Sequence, residues 1–254
     1  MAGDAQTSEA PEDGPRARVL GHPLDLVDLN EASNRLLRLS RAGRFSRAVT
    51  LNPELVVRAR ADEALARAID TADLCVADGV GMVWAARRGG VRIPGRVPGV
   101  DLVEGTLRRG ADALRVYFLG GRPGVAEAAA QVAVGRYGVR VAGVRDGYFA
   151  PEEAATVAEA VGASRANLVL AGLGERQETF LAAHEHALGA CAAIGVGGTL
   201  DVLAGTAHRT PAWTRRAGLE WAWRVGLDPK RWHRAPRLVR FVRLVLGASA
   251  GRSR

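Results

Sequence analysis

Cysteine is nearly absent: Cys75 and Cys191 are the only 2 in 254 residues. That excludes a disulfide scaffold and a four-cysteine zinc site. Long hydrophobic runs are missing too, with none near the ~18–20 residues that span a bilayer. Residues before Pro15 are acidic and polar, unlike a secretory signal or a transit peptide, so a cytosolic, reducing location is expected. Histidine offers no metal site, because His184 and His186 stand two apart on an expected helix and point to different faces. What remains is a globular composition, 48% hydrophobic and 24% charged, with ample length to bury a core.

Charge is unevenly spread. Gly205 to Arg254 holds 12 basic residues against Glu220 and Asp228, a net +10, while the first 204 residues sum to −2. A near-neutral body with so basic a tail calls for an anionic partner: a membrane surface, a nucleic acid or a diphosphate.

Residues 1–17 read as a disordered leader, 18–204 as an α/β core and 205–254 as a basic appendage. In the core, short apolar runs alternate with helical stretches. Helices are expected over Leu29–Ala42, Pro53–Asp70, Val125–Tyr137, Pro151–Gly162 and Gln177–Leu188. Strands are expected near Arg47–Thr50, Leu74–Ala77, Arg115–Leu119, Val139–Val144, Asn167–Ala171 and Ala192–Gly195. This alternation predicts a Rossmann-like parallel sheet flanked by helices on both faces. In the appendage, Trp213, Trp221, Trp223 and Trp232 interleave with arginines. Arg234–Gly247 forms a basic amphipathic helix that either lies on a membrane or docks on the body.

Ligands of open parallel sheets bind beyond the carboxyl ends of the strands. Three such ends are glycine-rich: Gly120-Gly121 with Gly124, Gly172 with Gly174, and Gly195 with Gly197-Gly198. Their N–H groups can approach a phosphate closely, which together favours a nucleotide or diphosphate ligand. Asp78 ends a buried strand and is either a general base or a helix cap. Thr50 and Asn52 bond a ligand or shape a turn. Asp201 accepts from a ribose or base, or caps a helix, and Gln177-Glu178 opens a helix at a glycine-rich end. No aspartates are spaced as Asp-x-Asp, so a departing diphosphate would rely on arginines and helix ends. No metal and no cofactor is expected.

The ordered set Thr50-Leu51-Asn52, Asp78-Gly79-Val80-Gly81, Arg96-Val97-Pro98-Gly99-Val100-Asp101, Phe118 to Gly121, Asp146 to Phe149, Gly172 to Glu178 and Gly195 to Asp201 resembles the WecG/TagA/CpsF glycosyltransferases (family 26). The resemblance continues through Arg209 to Trp213, Leu219 to Trp221 and Arg224 to Arg231, and covers about residues 20–245. It implies an inverting, metal-independent transferase that moves a sugar from a UDP-sugar to a polyprenyl-diphosphate-linked saccharide at the inner membrane face. Asp78 matches the proposed general base, with Thr50, Asn52 and Arg96 lining its pocket. Gln177 and Asp201 match the nucleotide-sugar site, with Tyr148 near it and Gly120, Gly121, Gly174 and Gly197 in the phosphate-approaching loops. Arg224, Arg231 and Arg234 match a basic appendage that closes over the site and contacts the diphosphate and the membrane.

The chain departs from the family at two places. Gly174-Glu175-Arg176-Gln177-Glu178 stands where the pattern reads Gly-x-Pro-Lys-Gln-Glu, and Arg209-Thr210-Pro211 where it reads Arg-Ala-Pro. The donor can therefore differ from the typical N-acetylmannosamine, and a soluble acceptor in specialised metabolism is an alternative. A nucleic-acid module would leave the glycine-rich ends without a role. A nicotinamide enzyme would need an acidic residue about 20 positions beyond Gly120 at a strand end, where Tyr137, Gly138 and Val139 stand. No nucleic-acid partner is expected, whereas a homo-oligomer through the apolar face of the last helix is possible.

Overall fold

The computed structural model describes residues 14–207 and 235–250. It opens with an antiparallel hairpin, β1 (Arg16–Val19) and β2 (His22–Asp25). Thus β1 starts inside the stretch expected to be leader. Val19 and Leu24 bury in the core and polar contacts add to the attachment: the buried Asp25 carboxylate receives Arg16 (2.8 Å) and the Cys75 N–H (2.7 Å), and His22 Nδ1 meets Asp70 at 2.9 Å.

The main sheet is built from β3 (Ser46–Leu51), β4 (Leu74–Ala77), β5 (Arg115–Gly120), β6 (Arg140–Arg145), β7 (Leu168–Gly172) and β8 (Ala192–Gly195). Its order is β4-β3-β8-β7-β5-β6, with every pairing parallel. The expected Rossmann-like α/β architecture is therefore present. Side chains alternate between the faces of each strand. Ala48, Leu74, Val76, Phe118, Leu170 and Ile194 face α1 (Leu29–Leu39), α5 (Gly99–Gly110), α6 (Val125–Tyr137) and α10 (Thr199–Leu203). The opposite face carries two separate apolar clusters. One joins Val49, Leu51 and Cys75 to α2 (Pro53–Ala59), α3 (Glu63–Asp70), α4 (Val80–Arg88) and Phe241. The other joins Tyr117, Leu119, Val169 and Ala193 to α7 (Ala154–Ala163), α8 (Gln177–Ala183) and α9 (Glu185–Leu188).

Two expected helices are each divided. The 53–70 stretch breaks because the Asp62 carboxylate accepts the Leu65 N–H at 2.9 Å and so caps a new helix. The 177–188 stretch breaks at His184, whose backbone leaves the helical region. Strand β6 is not buried on both sides as parallel strands usually are; it is the sheet edge, and Val141 and Val144 are exposed. The C-terminal helix (Ala235–Ala250) docks through Phe241 and Val245, both 1% exposed.

Candidate active site

The two strands that carry the expected acid–base residues are neighbours in register, Thr50 beside Val76 and Leu51 beside Ala77. Alternation along β3 places Thr50 on the face of Ala48. Along β4 it places Asp78 on the face of Leu74 and Val76. Both side chains therefore leave the sheet on the α5 side and meet the start of that helix. A Cβ on Gly99 would stand 3.6 Å from Thr50 Oγ1 and 4.0 Å from Asp78 Oδ2. Glycine at α5's first position keeps that space open. Asp78 is not the cap of α4. That position is Gly79, at φ 83°, and no side-chain hydrogen bond closes the helix start.

Asn52 and Arg96 flank this pair. The Asn52 Oδ1 accepts the Leu55 N–H at 3.0 Å, so its oxygen caps α2. The Val97 N–H donates to Ala77 O at 2.7 Å, which brings Arg96 beside the end of β4. Pro98 then starts α5.

Further along the same sheet edge lie the glycine-rich ends. Gly120 has φ 129°, and a Cβ there would meet Gly172 O at 2.3 Å, so only glycine lets β5 and β7 close at this point. The Gly121 N–H donates to Gly172 O (3.1 Å), and the Gly147 N–H to Gly121 O (2.9 Å). The loop after β6 is thereby drawn over the β5 end. Tyr148 on that loop is 71% exposed, its N–H held by Asp146 Oδ1 at 2.8 Å. Arg176 clamps the loop from the other side. It donates to Gly147 O (2.7 Å) and Phe149 O (3.3 Å), with its guanidinium 4.1 Å from the centre of the Phe149 ring.

Gly174, at φ 63°, turns β7 into a 3-10 segment that leads to α8. Gln177 then reaches to the neighbouring strand end, where its Oε1 accepts the Gly197 N–H at 3.0 Å. Its Nε2 donates to Glu178 Oε1 at 3.1 Å. Glu178 is fully buried, and its Oε2 has no hydrogen-bond partner. Burial pushes this carboxyl up to about 7, against the opposing pull of the Gln177 hydrogen bond and the charges of Arg47 and Arg58. Asp201 sits half-buried in the first turn of α10, near Gly198.

Helix α2 and the C-terminal helix grip the loop where the chain departs from the family pattern. The Glu175 carbonyl accepts from Arg58, and its carboxylate takes Arg237 at 2.7 Å. Arg237 also pairs with Glu54 on α2. Phe241 packs beside Trp84, with ring centroids 6.4 Å apart, and above Gly81. The helix is thus fastened to α2, to α4 and to the loop that carries Gln177.

The strand order decides which residues can act together. Along the carboxyl edge stand Asp78, Thr50 with Asn52, Gly197, Gly174, Gly120 with Gly121, and Tyr148, in the order of their strands. The chain leaves β3 toward one face and β8 toward the other, since Leu55 and Leu200 lie in opposite clusters. Such a divergence opens a crevice between neighbouring strands. Arg224, Arg231 and Arg234 lie outside the described residues. Among the described residues no three His, Cys, Asp or Glu side chains gather as a metal site. Cys75 and Cys191 are buried; burial pushes the Cys75 thiol far up and that of Cys191 up to about 12, so neither is a thiolate nucleophile.

The sequence reading named Glu178 only as opening a helix beside Gln177 and Arg237 only among the arginines of the last helix, and it gave Gly99 and Arg176 no role of their own. Their roles depend on contacts between distant segments, although Glu178, Gly99 and Arg176 all fell inside the quoted motifs. The segments that form this edge all lie within residues 17–254, which match the sequence model of the glycosyl transferase WecG/TagA/CpsF family, and the chain belongs to that family of glycosyltransferases.

Proposed function

We propose that the protein is an inverting, metal-independent glycosyltransferase that moves a hexose or N-acetylhexosamine from a UDP-sugar to a polyprenyl-diphosphate-linked saccharide, in cell-wall or surface-polysaccharide assembly. The observation that carries the reading is the meeting of Thr50 and Asp78 at the open start of α5, beside the glycine-rich ends of the sheet. Asp78 takes the proton of the acceptor hydroxyl as that oxygen attacks the anomeric carbon from the face opposite UDP. The bond to the diphosphate oxygen breaks, and the configuration inverts. Thr50, Asn52 and Arg96 orient the reacting groups around Asp78. Gln177, Asp201 and Tyr148 hold the nucleotide-sugar, and Gly120, Gly121, Gly174 and Gly197 let the backbone approach its phosphates. Arg224, Arg231 and Arg234 balance the charge that develops on UDP.

The acceptor would be reached from the inner face of the membrane. Val239, Val242 and Leu246 form an exposed stripe on the C-terminal helix, with Arg240 and Arg243 exposed alongside. A basic helix with an outward apolar stripe suits the interface of an anionic bilayer. No helix of the described residues is long and apolar enough to cross a membrane.

The deciding experiment measures UDP release in EDTA from a panel of UDP-hexoses, with and without a polyprenyl-diphosphate-GlcNAc analogue. Acceptor-dependent release from one donor is expected. UDP binding without release would move the acceptor to a soluble molecule, and no UDP binding would overturn the transferase assignment of the site.

A further inference from the structure

The seam between the two apolar clusters on one face of the sheet is polar. Arg47, 3% exposed, stands on β3 beside Ala193 of β8, and it donates to Ala68 O and Thr71 Oγ1 at 2.7 Å each. Two residues farther along β8, on the same face, is Gly195. A Cβ on Gly195 would stand 2.2 Å from Glu178 Oε1 and 2.6 Å from Gln177 Nε2. The bare glycine is therefore what admits the two side chains over the strand end. Glu178 spends one oxygen on the Gln177 amide and leaves the other without a hydrogen bond. A buried polar atom with no partner costs stability, so a carboxyl that only filled this space would be a poor choice.

The geometry also shows what the carboxyl accomplishes. A glutamine amide has two orientations that differ by exchange of its oxygen and nitrogen. An acceptor at Glu178 Oε1 selects the one that turns Gln177 Nε2 inward and leaves Oε1 for the Gly197 N–H. Gly197, at φ 49°, is the turn by which β8 passes into α10 and Asp201.

We propose that Glu178 is a positioning residue of the donor site, fixing the Gln177 amide so that it holds the Gly197 turn in the shape that receives the nucleotide diphosphate. This rests on the donor site proposed above, and it assigns a role to a side chain that touches neither substrate. Arg47 from β3 and Arg58 from α2 are the charges that face the carboxyl. Asp73 and Glu185 act on Arg47, and the Cys75 thiol of β4 lies within electrostatic reach.

The test uses the full chain and titrates UDP-N-acetylglucosamine and UDP calorimetrically, with amide exchange at Gly197 as the local readout. Glu178→Met keeps the bulk and removes the acceptor. It should weaken both probes by roughly tenfold or more, the value of one hydrogen bond that fixes a binding loop, and speed exchange at Gly197. Glu178→Gln keeps an acceptor oxygen and should bind within about threefold of wild type. Wild-type affinity in a folded Glu178→Met protein overturns the proposal, and so does a Glu178→Gln variant as weak as Glu178→Met. If Glu178→Met does not fold, Gly195→Ala pushes the same pair aside from the strand, and unchanged binding there overturns it as well. Failure of the wild-type chain to bind either uridine nucleotide is a different result: the donor site itself falls, and the role of Glu178 falls with it.

Discussion

Two carboxylates in this protein show how position sets chemistry. Asp78 lies half-buried at a strand end, facing the start of a helix. General-base assistance is worth about 10²–10⁴-fold, so Asp78→Asn should lose at least about a hundredfold in turnover while unfolding at an unchanged temperature. Near-wild-type turnover in that variant would remove the role. Glu178 lies over Gly195 of β8, two strands away from β4, and is sealed from water. Its carboxyl sits near 7 in the folded chain, above its ordinary 4.5, because burial disfavours the charged form. The folded state therefore binds this proton more tightly than the unfolded state. The stability it contributes is fully present below about 4.5 and is lost as pH rises through about 7. Glu178→Gln stays neutral throughout and should gain on the order of 3 kcal/mol over wild type at pH 8 and almost nothing at pH 4.5. Urea unfolding at the two pH values reads the difference; an equal gain at both would trace the effect to packing instead of charge.

At the scale of elements, the C-terminal helix is held by Phe241, Val245 and one arginine, Arg237. Phe241 is buried against α4, and truncating a buried phenylalanine costs about 3–5 kcal/mol. Phe241→Ala should expose Arg237, Arg240 and Arg243 to trypsin while the sheet and its helices resist cleavage; unchanged digestion would show that the ring does not hold the helix. The contrast between this helix and the hairpin explains what the sequence made legible. Strand β4 and helix α6 were readable to the residue because apolar runs and helical stripes mark buried elements directly. The β1–β2 hairpin carries Arg16, Arg18, His22 and Asp25 in two short strands and buries only Val19 and Leu24 in the apolar cluster, too few residues to make a hydrophobic pattern. Helix α5 starts on Gly99 and ends on Gly110, two residues that usually argue against a helix. Asp62 looks like one more charge on a long helix until its carboxylate is seen to cap a second one. The candidate site follows the same division. Strand-end residues such as Thr50, Asp78 and Gly120 are visible as polar or glycine positions closing apolar runs. Glu178 is legible only as one of two polar residues opening a helix at a glycine-rich end; that it is buried depends on the bare Gly195 of another strand.

Across the described residues, the parallel sheet gathers the candidate groups along one edge, and the C-terminal helix is fastened beside that edge through Arg237 and Phe241. A helix docked by one stripe has its opposite stripe free to meet something else. Here Phe241 and Val245 face the body, while Val239, Val242 and Leu246 face outward between Arg240 and Arg243. Arg237 is engaged by Glu54 and Glu175, so the two later arginines are the ones on this helix that can answer an anionic surface. Each basic residue near an anionic bilayer contributes about 1 kcal/mol, and the contribution is screened by salt. The double variant Arg240→Glu, Arg243→Glu should therefore lower partitioning onto phosphatidylglycerol vesicles by roughly 30-fold or more at low salt. Its UDP-sugar affinity should not change, because both arginines are exposed on the helix and form no part of the proposed donor site. Val242→Asp with Leu246→Asp should also release the protein, but with less relief by salt, since the loss is then of apolar burial. If both double variants bind vesicles like the wild type, this stripe meets something other than lipid, and a second copy of the chain becomes the surface to test by sedimentation.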